Sequence, residues 1–80
     1  MNYLAMNTTT TTIHVFKTSV RSEEQANLVG AFLNILLPYE AWNFDLEDRD
    51  RILRVETSDL IPETVITILN SQGFECSELI

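Results

Sequence analysis

Residues 39–57 read YEAWNFDLEDRDRILRVET, and the way this stretch folds back on itself decides the architecture of the chain. Trp42, Phe44 and Leu46 alternate with Asn43, Asp45 and Glu47, while Leu53 and Val55 alternate with Arg54 and Glu56. Alternation with period two is the mark of a half-buried strand. Folding about Arg49-Asp50 sets Leu46 opposite Leu53 and Phe44 opposite Val55 on the core face. The same register sets Asp45 opposite Arg54 and Asp48 opposite Arg51 on or near the solvent side. Apolar and charged pairs then agree on one register, and a slip by one residue would destroy both sets. The turn lacks the Asn-Gly favoured in the tightest hairpins, so a loop of about four residues is expected.

Outward from the hairpin, the pattern extends both ways. From Thr11 to Val20 the β-branched residues and the period of two predict a first strand. His14, Phe16, Thr18 and Val20 share one face; Ile13, Val15, Lys17 and Ser19 share the other. Between this strand and the hairpin, Val29, Phe32, Leu33 and Leu36 fall at i, i+3, i+4 and i+7, the stripe of a helix that Pro38 ends. Its start lies in TSVRSEEQA, residues 18–26, where Ser22 and Gln25 match the capping-box pattern. Ser22 is expected to accept from the N–H of Gln25, and the Gln25 side chain to reach back to the N–H of Ser22. Asp59 to Pro62 opens a second helix with a buried stripe of Ile61, Val65, Ile68 and Leu69. Gly73 supplies the left-handed position that ends it. The tail FECSELI is a short last strand with Phe74 and Cys76 on one face. The order βαββαβ, with right-handed crossovers, predicts an α+β ferredoxin-like sandwich: a four-stranded antiparallel sheet with both helices on one face. Residues 11–80 form this single domain, and Met1–Thr10 is read as a flexible leader whose Tyr3, Leu4 and Met6 are available to dock on the body.

The 80 residues are 45% apolar, enough for one modest core. Twelve acidic against five basic side chains give a formal net charge of −7. Such a surface repels phosphate backbones, which argues against nucleic acid as a partner. Cys76 is the only cysteine, so neither an intrachain disulfide nor a cysteine-based metal cluster can form. No apolar run has the length of a membrane span, and MNYLAMN lacks the charged and apolar regions of a signal peptide. A cytoplasmic protein without membrane association is expected.

Candidate sites are few. The predicted topology gathers the loop after the first strand, the hairpin tip and the turn at Gly73 at one end of the molecule. Glu23, Glu24, Asp48 and Asp50 there are candidate oxygen ligands for a hard cation, although their spacing matches no EF-hand loop. His14 has no companion ligand and is read as structural, and Trp42 as a core or rim aromatic. One histidine assembles no nucleophilic triad, and two glycines make no phosphate loop, so no catalytic residue and no cofactor is assigned. On the sheet face away from the helices, Ile13, Val15 and Ile52 form a candidate interface for self-association or a protein partner.

The stripe closed by Pro38, the hairpin NFDLEDRDRILRVET and the segment LNSQGFE follow one another in an order and spacing that resemble the heavy-metal-associated domain family. That family comprises the small copper chaperones and the metal-binding domains of metal-pumping ATPases, and the resemblance covers residues 13–80. It implies a Met-x-Cys-x-x-Cys loop whose two thiolates grip a soft ion. Here the methionine position falls on Val20 and the two cysteine positions on Ser22 and Gln25, neither of which supplies a thiolate. No functional residue carries over. The expectation is a non-enzymatic binding module on this scaffold, acting through its acidic end or sheet face on an unknown protein or on itself. The alternatives are a carrier or sensor binding a metal ion through carboxylates and a dimeric regulatory domain for a small molecule.

Overall fold

The structure is a computed structural model that describes residues 11–58 and 62–79. Its elements follow the order β1 (Thr12–Thr18), α1 (Glu23–Leu36), β2 (Ala41–Asp45), β3 (Ile52–Thr57), α2 (Pro62–Ser71) and β4 (Cys76–Leu79). The four strands make one antiparallel sheet in the order β2-β3-β1-β4, so the chain has the α+β ferredoxin-like arrangement. Phe16 of β1 and Leu53 and Val55 of β3 form one core with Val29 and Leu33 of α1 and Val65, Ile68 and Leu69 of α2. Fully buried side chains of this size contribute roughly 1.5–3 kcal/mol each relative to exposure. The leader Met1–Thr10, and Asp59 and Ile61 at the start of the expected second helix, lie outside the described residues.

The hairpin keeps the expected faces and shifts the expected register. Trp42 pairs with Val55, Phe44 with Leu53 and Asp45 with Ile52, two residues away from the pairing that the charges predict. Arg54 therefore faces Asn43, and the oppositions of Asp45 to Arg54 and Leu46 to Leu53 do not form. A slip by two residues returns every side chain to its own face, so burial alone does not penalise it. The loop that results spans residues 46–51 and is longer than expected. Within it, Asp48 Oδ1 accepts from the Asp50 N–H at 2.8 Å, and the Asp48 carbonyl accepts from the Arg51 N–H at 2.9 Å. Arg51 adopts φ +50 and closes the turn, its guanidinium donating to the Leu46 carbonyl at 2.9 Å. Leu46 leaves the ladder and packs against the core.

A second correction concerns α1. Its buried positions are Ala26, Val29, Gly30 and Leu33, while Phe32 and Leu36 of the expected stripe are exposed. The helix ends where the Leu37 N–H reaches back to the Leu33 carbonyl at 2.7 Å, just before Pro38. α2 starts on Pro62, where a missing N–H costs nothing, and buries Val65, Ile68 and Leu69 as its spacing predicts. It ends in a Schellman motif: the Phe74 N–H reaches the Leu69 carbonyl and the Gly73 N–H the Asn70 carbonyl, with Gly73 at φ +89.

Candidate functional site

Three connections do meet at one end of the molecule, and β1 holds them there. Thr18 Oγ1 donates to the Arg51 carbonyl at 2.6 Å, and the Thr18 N–H donates to the Asp50 carbonyl at 3.1 Å, tying β1 to the hairpin tip. Next to it, Ser19 and Glu75 exchange two bonds, Ser19 N–H to the Glu75 carbonyl and Glu75 N–H to Ser19 Oγ. Both residues lie in loops, so the bonds that would have gone unmade at the strand ends are satisfied across loops. Asp48 is engaged in its own turn, and Asp50 Oδ1 lies 4.0 Å from Lys17 Nζ. Glu23 and Glu24 stand in the first turn of α1, where the positive end of the helix dipole favours them. Among the described residues no group of three or more His, Cys, Asp or Glu side chains is arranged to hold a metal ion. The four candidate carboxylates Glu23, Glu24, Asp48 and Asp50 are thus not brought together as a ligand set.

Val20, Ser22 and Gln25, where the resemblance would set a metal loop, have structural tasks. Val20 is fully buried in the core. Ser22 Oγ accepts from the Gln25 N–H at 3.1 Å, the N-cap bond. The Gln25 side chain reaches one residue further back than the capping-box pattern implies, accepting from the Arg21 N–H at 2.8 Å instead of from Ser22. The extended backbone at Ser22, φ −135 and ψ 160, turns the preceding N–H toward the helix.

Cys76 faces the core from β4, and burial pushes its thiol up to about 12 from 9.0. A thiol held protonated is a poor nucleophile and a poor ligand. His14 has a companion that the sequence did not reveal, because it is 64 residues away: Nδ1 lies 2.9 Å from Glu78 Oε2 across the β1–β4 pair. Trp42 packs against the core, donates from its indole N–H to Asn34 Oδ1 at 2.9 Å and meets Phe44 edge to face at 6.0 Å. Its ring covers Gly30 so closely that a Cβ there would overlap it. Where α1 and β2 part, a shallow groove of about 400 Å³ has Trp42 and Phe44 in its wall and Glu23, Asp45 and Glu47 beside them.

Two apolar surfaces remain. On the sheet face away from the helices, Ile13 is exposed and Val15 half-buried, but Ile52 is only 4% exposed. The exposed part of the Ile13, Val15, Ile52 set is therefore small, with Leu79 beside Val15 on β4. The outer face of α1 is larger. Leu28, Phe32, Ile35 and Leu36 are 51, 42, 74 and 54% exposed, and Tyr39 in the following turn is 94% exposed. Their spacing, i, i+4, i+7 and i+8, is a stripe of its own beside the buried one. One signal for it was present in QANLVGAFLNILLPY, residues 25–39: apolar residues are too many for one stripe, and no charge interrupts them.

Among the described residues no helix is long and apolar enough to cross a membrane. No protein-family model matches this chain, and no curated protein or solved structure matches it either.

Proposed function

We propose that this chain is a small non-enzymatic interaction module that binds a protein partner, foreign or a copy of itself, through the outer face of α1. The observation that carries the reading is the exposed stripe of Leu28, Phe32, Ile35 and Leu36 in a segment without a single charge. Isolated apolar residues are normal on a surface, whereas a contiguous stripe of this size marks a contact site. The scaffold resembles the heavy-metal-associated domains, with the soft-metal loop replaced by a helix cap at Ser22 and Gln25. A role in soft-metal transfer has no thiolate pair to rest on, which favours binding over carriage.

A photoreactive side chain placed at position 35 of the full-length chain, in the cells that make it, tests the reading. Discrete crosslinked species are expected from position 35 and none from position 63, which is exposed on α2. Absence of any adduct at position 35, or an equal yield from both positions, would refute it.

A further inference from the structure

We infer that the partner covering α1 is a second copy of this chain, packed antiparallel about a two-fold axis that passes close to Phe32. The inference rests on the reading of α1's outer face as the interaction surface and names its occupant. Three observations support it.

The first is charge. Two copies that each carry a net −7 repel one another, and a contact that opposes like charges adds a local cost. From Gln25 to Tyr39 there is no charged residue. The open sheet face, by contrast, carries Lys17, Arg54 and Glu56 among its apolar residues. The outer face of α1 is where two such chains can touch without setting carboxylate against carboxylate. A basic partner would be recognised by carboxylates, and this stripe has none to offer.

The second is area. With a large apolar residue exposing about 200 Å² in full, the four helical side chains present roughly 400 Å², and about 600 Å² with Tyr39. A standard two-protein interface buries about 800 Å² per partner, a little over half of it apolar, or about 450 Å². The stripe matches that requirement.

The third is symmetry. An isologous contact must be self-complementary, so that residue i meets j and j meets i. The stripe is centred on Phe32, with Leu28 one turn before it and Leu36 one turn after. A two-fold axis there sets Phe32 against Phe32 of the other copy and Leu28 against its Leu36. The Glu23 and Glu24 pairs of the two copies then stand at opposite ends of the helix pair, about 25 Å apart and beyond the screening length at physiological salt.

Light scattering on the purified full-length chain over a concentration series tests this directly. A dimer with a dissociation constant in the micromolar range is expected, tighter at higher salt because the repulsion of the acidic surfaces is screened. Phe32→Glu and Ile35→Glu should each weaken it by roughly tenfold or more. Both side chains are exposed, so the fold should be intact by circular dichroism. Ile13→Lys on the sheet face should leave the dimer unchanged. With Cys76→Ala as background, Phe32→Cys should oxidise to a covalent dimer and Glu63→Cys should not. A monomer at millimolar concentration overturns the inference, whether the face is bare, covered by residues 1–10 or taken by another protein. A dimer indifferent to Phe32→Glu overturns it as well. A monomeric chain that still yields position-35 adducts with another protein leaves the interaction-module reading standing; no adduct and no dimer removes both.

Discussion

Ser22 shows how a single side chain can be read from sequence and then corrected by its surroundings. A Ser followed three residues later by Gln predicts an N-cap, and the Ser22 Oγ to Gln25 N–H bond is there. The return bond goes to Arg21 because a glutamine side chain is long enough to pass Ser22 and find the next free donor. Ser22→Ala should lower unfolding free energy by about 0.5–2 kcal/mol in urea titration, and Ser22→Asp should restore most of it. An unchanged midpoint in Ser22→Ala would mean that the cap contributes nothing. Cys76 is legible as a half-buried thiol because Phe74 and Cys76 share one face of the last strand, and burial raises its pKa to about 12. In the unfolded chain the thiol loses its proton near 9.0, so between about 9 and 12 the unfolded state binds fewer protons than the folded one. The contribution of Cys76 is therefore full below about pH 9 and is lost as pH rises toward about 12. Between about pH 8 and about pH 10.5, urea titration should show a larger loss of stability in the native chain than in Cys76→Ala. Equal losses would place the thiol in water.

At the scale of elements, α1 and the hairpin were each legible in kind and misread in detail. The helix carries two apolar stripes, and periodicity alone does not say which of them turns inward. Small residues decide it. Ala26 and Gly30 let α1 approach the sheet, and Gly30 admits the Trp42 ring from β2. The Phe32–Leu36 edge is bulkier and stays outside. Gly30→Ala would ordinarily stabilise an exposed helix by up to about 1 kcal/mol. Here the new methyl overlaps a rigid indole, so a loss of about 1–3 kcal/mol is expected, with altered Trp42 fluorescence. A gain in stability would show that Trp42 does not sit on Gly30. In the hairpin, Asp45, Asp48, Arg51 and Arg54 offered an apparent charge register that the structure does not use. Exposed charge pairs are worth at most about 1 kcal/mol, less than the backbone bonds and core contacts that shape the 46–51 loop.

For the whole molecule, the convergence of three loops followed from topology, but the residues that fasten them did not. Thr18 sits in an unremarkable TS dipeptide, yet it is 7% exposed and serves both as donor to Arg51 and as acceptor for the Val20 N–H at 3.2 Å. Thr18→Val keeps the shape and removes both bonds, leaving the part-buried Arg51 carbonyl without this donor and the buried Val20 N–H without its acceptor. A cost of about 2–4 kcal/mol is expected, with faster hydrogen exchange at the hairpin tip. Unaltered exchange at Arg51 would mean that the tip is held by other contacts. Of the carboxylates that the same topology gathers, Asp48 is engaged in its own turn and Asp50 lies near Lys17, and among the described residues no metal-holding group forms, so nearness at one end does not make them a ligand set.

By itself the sequence determined the order of the six elements, the face of each strand, the inward stripe of α2 and the glycine that ends it. These follow from local periodicity and local backbone limits, which act within a few residues. Only the tertiary structure decided the two-residue hairpin register, the choice between the stripes of α1, the Gly30–Trp42 contact and the pairing of His14 with Glu78. Each of these compares alternatives that are equal in pattern and differ only in how side chains from distant segments share one volume. That competition left Leu28, Phe32, Ile35 and Leu36 outside the core, so the sequence carries a surplus of apolar residues in α1 while only the fold decides which of them face outward.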